Sequence, residues 1–119
     1  VACCTLLDDS ILTHVAWGAG GPNGLAAVGQ DGMAHQVIIR EDGTLEKVAQ
    51  RTAHDIETWS VEVSRFDSHN LVFTGADDCC LLGWDLREPP DSAPAVFNRR
   101  SHEAGVTALA CSPLCDYLL

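Results

Sequence analysis

The sequence predicts an all-β fold of about two to three four-stranded antiparallel units, and three observations support this prediction. Short apolar segments follow one another with almost no helical periodicity. Gly, Asp, Asn and Pro cluster between these segments, as expected for strands joined by tight turns. The chain also repeats itself, because His54 and His102 open similar segments 48 residues apart. Many short strands at even spacing are typical of a sandwich, a barrel or a propeller.

Each predicted strand is a short apolar or alternating segment that ends at a turn-forming cluster. The turns include Asp31-Gly32, Glu41-Asp42-Gly43 and Asp77-Asp78. The predicted strands are Ile11–Trp17, Leu25–Gly29, Met33–Arg40, Leu45–Ala49, Trp59–Phe66, Leu71–Thr74, Leu81–Asp85, Ala95–Asn98 and Val106–Cys111.

The repeat favours a β-propeller over the other all-β folds. Its length slightly exceeds the roughly 40–45 residues of one propeller blade, and a Pro-rich insert at 88–94 accounts for the excess. We therefore divide the chain, residues 1–119 of one propeller, into a degenerate blade at 8–53, a complete blade at 54–101 and the start of the next blade at 102–119. We expect the chain to be a fragment, since it opens on Val1 and stops on an apolar run.

The charge balance narrows the classes of partner. With 17 acidic and 7 basic residues the chain carries a formal charge of −10. Nucleic acids and anionic membranes are bound through Lys and Arg that neutralise phosphate, so we expect neither as a direct partner. No apolar run approaches the length needed to span a bilayer.

The six cysteines predict neither a metal centre nor a disulfide framework. Cys3-Cys4 and Cys79-Cys80 are adjacent pairs, whose side chains point to opposite faces of a strand. Cys111 and Cys115 lack a matching Cys or His pair elsewhere, which a zinc site requires. We expect reduced thiols and a cytoplasmic location.

The most specific motif runs from Leu71 to Asp85 and ends on the dipeptide Trp84-Asp85. It resembles the signature of the WD-repeat family, with His54 at the family's upstream histidine position. The resemblance implies a hydrogen-bonded tetrad of Trp84, Thr74, His54 and Asp78. A Thr/His/Asp set also invites comparison with a catalytic triad, but a buried structural role is favoured because indole, hydroxyl, imidazole and carboxylate satisfy one another in series.

A finer resemblance lies in segments that the general signature does not require. They are Ala53-His54-Asp55-Ile56-Glu57-Thr58-Trp59, Leu82-Gly83-Trp84-Asp85-Leu86-Arg87 and Arg100-Ser101-His102-Glu103-Ala104-Gly105-Val106. Together they resemble the diphthine methyltransferase family. The resemblance implies a carboxylic ester hydrolase of diphthamide biosynthesis. Such an enzyme hydrolyses the methyl ester of methylated diphthine on elongation factor 2 without a cofactor.

No catalytic set follows from the resemblance, and the sequence contains no Gly-x-Ser-x-Gly elbow. Glu57 and Trp59 are the candidate site residues, because they begin the innermost strand and so are expected at the channel mouth. The alternative is that Trp59 packs between blades and that Glu57 is solvated.

A non-catalytic adaptor is the competing functional class. Trp84-Asp85-Leu86-Arg87 resembles the Trp-Asp-x-Arg box of substrate receptors for cullin ubiquitin ligases. In that case Arg87 would bind a partner protein, and the propeller would act only as a binding platform.

Overall fold

The computed structural model describes residues 10–64 and 70–112, which form two four-stranded antiparallel sheets. The chain order within each sheet is also the spatial order, β1-β2-β3-β4 and β5-β6-β7-β8. No helix in these ranges is long and apolar enough to cross a membrane. The strands are β1 (Leu12–Trp17), β2 (Gly24–Gly29), β3 (Met33–Ile39), β4 (Leu45–Thr52), β5 (Thr58–Val63), β6 (Leu71–Ala76), β7 (Leu81–Asp85) and β8 (Val96–Asn98).

Short turns with glycine in the left-handed region set the strand boundaries of the first sheet. Gly32 has φ 79° between β2 and β3, and Gly43 has φ 85° between β3 and β4. Residues with a Cβ rarely adopt such angles, so each strand ends where its glycine lies. The carboxylates of Asp31 and Asp42 accept backbone amides two residues ahead, each at 3.0 Å, and fix the turns.

The core lies between the two sheets, where β5 packs against β1 and β2. Val28 of the first sheet meets Val61 and Val63 of the second in this apolar cluster. A side-chain bond also crosses the interface, because the backbone amide of Val61 donates to Nδ1 of His14 at 3.0 Å. The two sheets therefore share one core, as expected for neighbouring propeller blades.

The first sheet is a complete four-stranded blade, although its sequence lacks the Thr and Trp of the signature. Trp84 pairs with Val72 in the second sheet, and in the matching register of the first sheet Val37 pairs with Leu25. Ala27 corresponds to Thr74 in the same register. Ala27 and Val37 are both buried. Small apolar side chains thus replace a hydrogen-bonded pair, and this substitution makes the repeat degenerate in sequence without changing its fold.

The predicted strand Val106–Cys111 is wrong, because residues 106–112 form no strand in the structure. This segment nevertheless lies along the second sheet: the amide of Val106 donates to the carbonyl of Ala76 at 2.9 Å, and the hydroxyl of Ser60 donates to the carbonyl of Val106 at 3.1 Å. A strand requires a ladder of backbone bonds, and no strand in the described ranges pairs with this segment.

Several predicted features lie outside the described residues. They are the first residues of the 8–53 blade, the end of the predicted strand at Phe66, residues 113–119 of the next blade, and Cys3, Cys4 and Cys115.

Candidate functional site

The structure brings the four predicted tetrad residues into one hydrogen-bonded chain. Nε1 of Trp84, on β7, lies 3.0 Å from the hydroxyl of Thr74 on β6. That hydroxyl lies 2.9 Å from Nε2 of His54, in the connection before β5. Nδ1 of His54 lies 2.8 Å from Oδ2 of Asp78, in the turn after β6. The tetrad therefore joins four separate segments of the second blade.

The direction of each hydrogen bond in the tetrad follows from its two end groups, the indole of Trp84 and the carboxylate of Asp78. An indole N–H only donates, and an ionised carboxylate only accepts. Thr74 therefore accepts from Trp84 and donates to Nε2 of His54, whose Nδ1–H donates to Asp78. Burial by itself would raise the pKa of Asp78, but the hydrogen bonds from His54 and the amide of Cys80 lower that pKa below its usual value. Asp78 is thus held in the ionised form that the chain requires.

The hydroxyl of Thr74 and the imidazole of His54 are not accessible to a substrate. Thr74 has 0% of its surface exposed and His54 has 3%. Both the donor and an acceptor position of the Thr74 hydroxyl are already used within the chain. A nucleophile must reach the reacting atom of a substrate, and the buried hydroxyl of Thr74 cannot do so. The tetrad therefore has a structural role and is not a catalytic triad.

An arginine of the first sheet lies over the ring of Trp84. The guanidinium of Arg51, on β4 of the first sheet, lies 5.6 Å from the ring centroid of Trp84. Arg51 is buried, and this burial lowers its pKa while the charge of Asp85 acts in the opposite direction. The contact is a cation–π interaction between neighbouring blades.

The candidate residues Glu57 and Trp59 flank the start of β5 and are both half-buried. Nε1 of Trp59 donates to Oδ1 of Asp77 at 3.4 Å, and the amide of Asp77 donates to the carbonyl of Glu57 at 3.0 Å. The structure therefore brings the two candidates to one end of the sheet, together with a third residue. Asp77 was missed from the sequence, where its position beside the tetrad residue Asp78 was the available signal.

The distinctive segment Arg100–Val106 reaches the same end of the sheet as Asp77. Gly105 lies so close to Asp77 that a Cβ at position 105 would come within 2.6 Å of its Oδ1. Asp77 therefore contacts two of the three distinctive segments, Ala53–Trp59 through Trp59 and Arg100–Val106 through Gly105. We refer to Glu57, Trp59, Asp77 and Gly105 as the rim site.

The described cysteines have no feature of a metal centre. Cys79, Cys80 and Cys111 form no disulfide, and no cluster of metal-ligating side chains occurs in residues 10–64 and 70–112. Burial, with a further contribution from Asp78, raises the pKa of Cys80. A thiol held protonated in this way is a poor nucleophile.

Curated proteins with similar sequences share one name. The chain is 30% identical over 105 residues to the diphthine methyltransferase of Homo sapiens, a match that covers 86% of the chain and 22% of that protein. It is 34% identical over 90 residues to the Mus musculus protein of the same name, covering 74% of the chain and 18% of the relative. For the Saccharomyces cerevisiae protein the identity is 34% over 83 residues, or 68% of the chain and 19% of the relative. The chain thus spans about a fifth of the length of these relatives.

The comparison with solved structures supports a β-propeller fold. One chain in the crystal structure of the mitotic checkpoint complex superimposes on this chain with a TM-score of 0.71 and 19% identity. That chain is a WD-repeat propeller. The superposition covers 88% of this chain and 29% of that one. No family model matches the sequence.

Proposed function

Because the chain belongs to the WD-repeat β-propellers and is similar to the diphthine methyltransferases, we propose that the protein containing it acts in diphthamide biosynthesis. The proposed reaction is hydrolysis of the methyl ester of methylated diphthine on elongation factor 2. The protein would then work where its substrate does, in the cytoplasm. The observation that carries the proposal is the rim site, since Asp77 joins two of the three segments that carry the finer resemblance, Ala53–Trp59 and Arg100–Val106.

The proposed chemistry transfers the acyl group to water. A water molecule attacks the ester carbonyl, the bond from the carbonyl carbon to the methoxy oxygen breaks, and the products are a carboxylate and methanol. Neither an oxidant nor a cofactor is needed for this balance. Among the described residues the Thr74 hydroxyl lies beside a base, His54, but it is buried and already used within the tetrad, so an activated water is favoured over a covalent intermediate.

The rim site has the groups needed to recognise this substrate. Diphthine carries a quaternary ammonium, and such cations bind to aromatic faces and carboxylates. We assign the indole of Trp59 to the ammonium group and Asp77 to positioning that indole through its 3.4 Å hydrogen bond. Glu57 is the candidate that activates water, because it is half-buried at the same end of β5.

The test uses the complete protein and elongation factor 2 that carries methylated diphthine. We expect the modified histidine to lose one methyl group in the mass spectrum and methanol to appear in equal amount, without any added cofactor. Methanol distinguishes hydrolysis from transfer of the methyl group to another acceptor. Persistence of the ester in the presence of demonstrably folded protein would contradict the assignment.

A scaffold role is the second candidate, because the side chain of Arg87 is exposed at the end of the Trp84–Arg87 box. Within the chain, Nη2 of Arg87 pairs with Oδ2 of Asp85 at 2.8 Å and Nε of Arg87 donates to Oδ1 of Asp85 at 2.9 Å. A partner that binds Arg87 would have to compete with this bidentate pair or bind beside it. Loss of cullin ligase co-purification in Arg87→Ala, with ester hydrolysis unchanged, would support the adaptor role.

A further inference from the structure

A groove separates the outer parts of the two blades, away from the rim site. Its volume is about 410 Å³. Met33 and Thr52 of the first sheet line one side, and Pro90 and Asp91 of the β7–β8 connection line the other. Arg51 and the ring beneath it, Trp84, also line this groove. A groove of this size accommodates a short peptide segment or a small ligand.

Arg51 is unusual among the charged groups of the described chain. Only 7% of its surface is exposed, yet its guanidinium has no hydrogen-bond partner within residues 10–64 and 70–112. The charge that acts on it is that of Asp85, whose carboxylate is already bound by Arg87. The guanidinium has five N–H donors, and its nitrogens are not among the fully buried atoms without a partner in the described residues, so they are open to a ligand in the groove.

From this arrangement we propose that the groove binds a carboxylate presented by an acidic peptide segment of a partner protein. The planar guanidinium matches a carboxylate in two parallel hydrogen bonds, and Trp84 fixes its plane. A doubly charged phosphate is disfavoured, because the groove offers a single arginine and Asp91 lies on its wall. The proposal does not depend on ester hydrolysis at the rim site.

The neighbouring strand explains why the ligand is a polypeptide. Among the described strands β4 pairs only with β3, and it is therefore an edge of the first sheet as described. Thr52, at the end of β4, lines the groove, so an extended peptide there lies beside an edge strand. Edge strands recognise such peptides through main-chain hydrogen bonds, and side-chain contacts such as that to Arg51 then give specificity.

The test is calorimetric titration of the complete protein with two blocked tripeptides, acetyl-Ala-Glu-Ala-amide and acetyl-Ala-Gln-Ala-amide. We expect millimolar binding of the Glu peptide and about 10-fold weaker binding of its Gln counterpart, because a charge-assisted bidentate pair is replaced by a neutral contact. Arg51→Gln should abolish this preference. Equal affinity of the two peptides, or a preference that survives Arg51→Gln, would overturn the proposal.

A variant at the exposed wall tests the proposal without disturbing the buried arginine. Asp91→Asn removes the competing negative charge from the groove, so it should strengthen Glu-peptide binding about 2-fold and leave Gln-peptide binding unchanged. Unchanged or weaker Glu-peptide binding in this variant would contradict the proposed location. Titration with inorganic phosphate forms a separate arm, and phosphate that binds more tightly than the Glu peptide would replace the carboxylate by a phosphate ligand.

Discussion

Gly32 lies directly against the backbone of His54, so that a Cβ at position 32 would come within 2.0 Å of the His54 carbonyl oxygen. The carbonyl of Gly32 in turn accepts the amides of Ala53 and His54, each at 3.0 Å. The turn of the first sheet is therefore docked on the segment that presents the tetrad histidine. Neighbouring blades are connected through backbone contacts here as well as through their apolar core.

Replacing Gly32 by Ala should lower the free energy of unfolding by about 2–4 kcal/mol, since it adds a steric overlap to the left-handed strain. Gly43→Ala is the matched control, because its φ of 85° is similar but no atom lies within 4 Å of the added Cβ. We expect Gly43→Ala to cost about 1 kcal/mol. Urea unfolding of the complete protein measures both values, and equal losses would show that the contact with His54 has no energetic weight.

Trp84 provides a test of the tetrad. Trp84→Ala should lower the free energy of unfolding by about 3–5 kcal/mol, as for other buried aromatic residues. Trp84→Phe keeps most of the ring but leaves Thr74 without its indole donor, and should cost about 1–2 kcal/mol. A loss in Trp84→Phe below about 0.5 kcal/mol would contradict the role of the hydrogen bond.

The buried imidazole of His35 should make stability depend on pH. Neither ring nitrogen has a hydrogen-bond partner in the described part of the chain, and Arg51 lines the same small cavity. Burial lowers the pKa of His35, an effect that Asp31 opposes and Lys47 reinforces. Because the unfolded chain then binds the proton more readily, stability is complete above the usual histidine pKa of about 6.5 and declines as the pH falls toward the lowered value.

The measurement for His35 is the free energy of unfolding between about pH 7 and pH 5. His35→Leu removes the titrating group and should flatten the decline over this range. Identical slopes in wild type and His35→Leu would assign the pH dependence to another group.

Trp59 should matter more for substrate use than for folding. Trp59→Ala removes the aromatic face and should raise KM for methylated elongation factor 2 by about 3- to 30-fold, while Trp59→Phe retains most of the affinity. Asp77→Asn keeps an acceptor for the indole but removes one negative charge, so a smaller increase in KM is expected. Steady-state kinetics with a parallel thermal melt separates binding from stability.

The local pattern of the sequence predicts much of the blade architecture, because each strand is a short apolar segment beside a turn. The tetrad was expected from the family signature, in which indole, hydroxyl, imidazole and carboxylate have fixed spacings. The contacts of Arg51 with Trp84, and of Asp77 with Trp59, could not be predicted in this way. They depend on how one sheet is placed on the next and how two turns meet, which no short-range pattern encodes. Val106–Cys111 fails as a predicted strand for a similar reason, since alternation alone does not supply a pairing partner.

The meander topology has a kinetic consequence. Every strand pair in the described ranges joins sequence neighbours, so each blade can form through local hairpins with a small loop-closure entropy. The bond between His14 of the first blade and Val61 of the second is of much longer range, because these residues are 47 positions apart. Contact order therefore rises sharply only when the sheets dock, and docking should be the slow event in refolding. Substitutions at His14 should then alter the refolding rate more than substitutions within the β3–β4 hairpin.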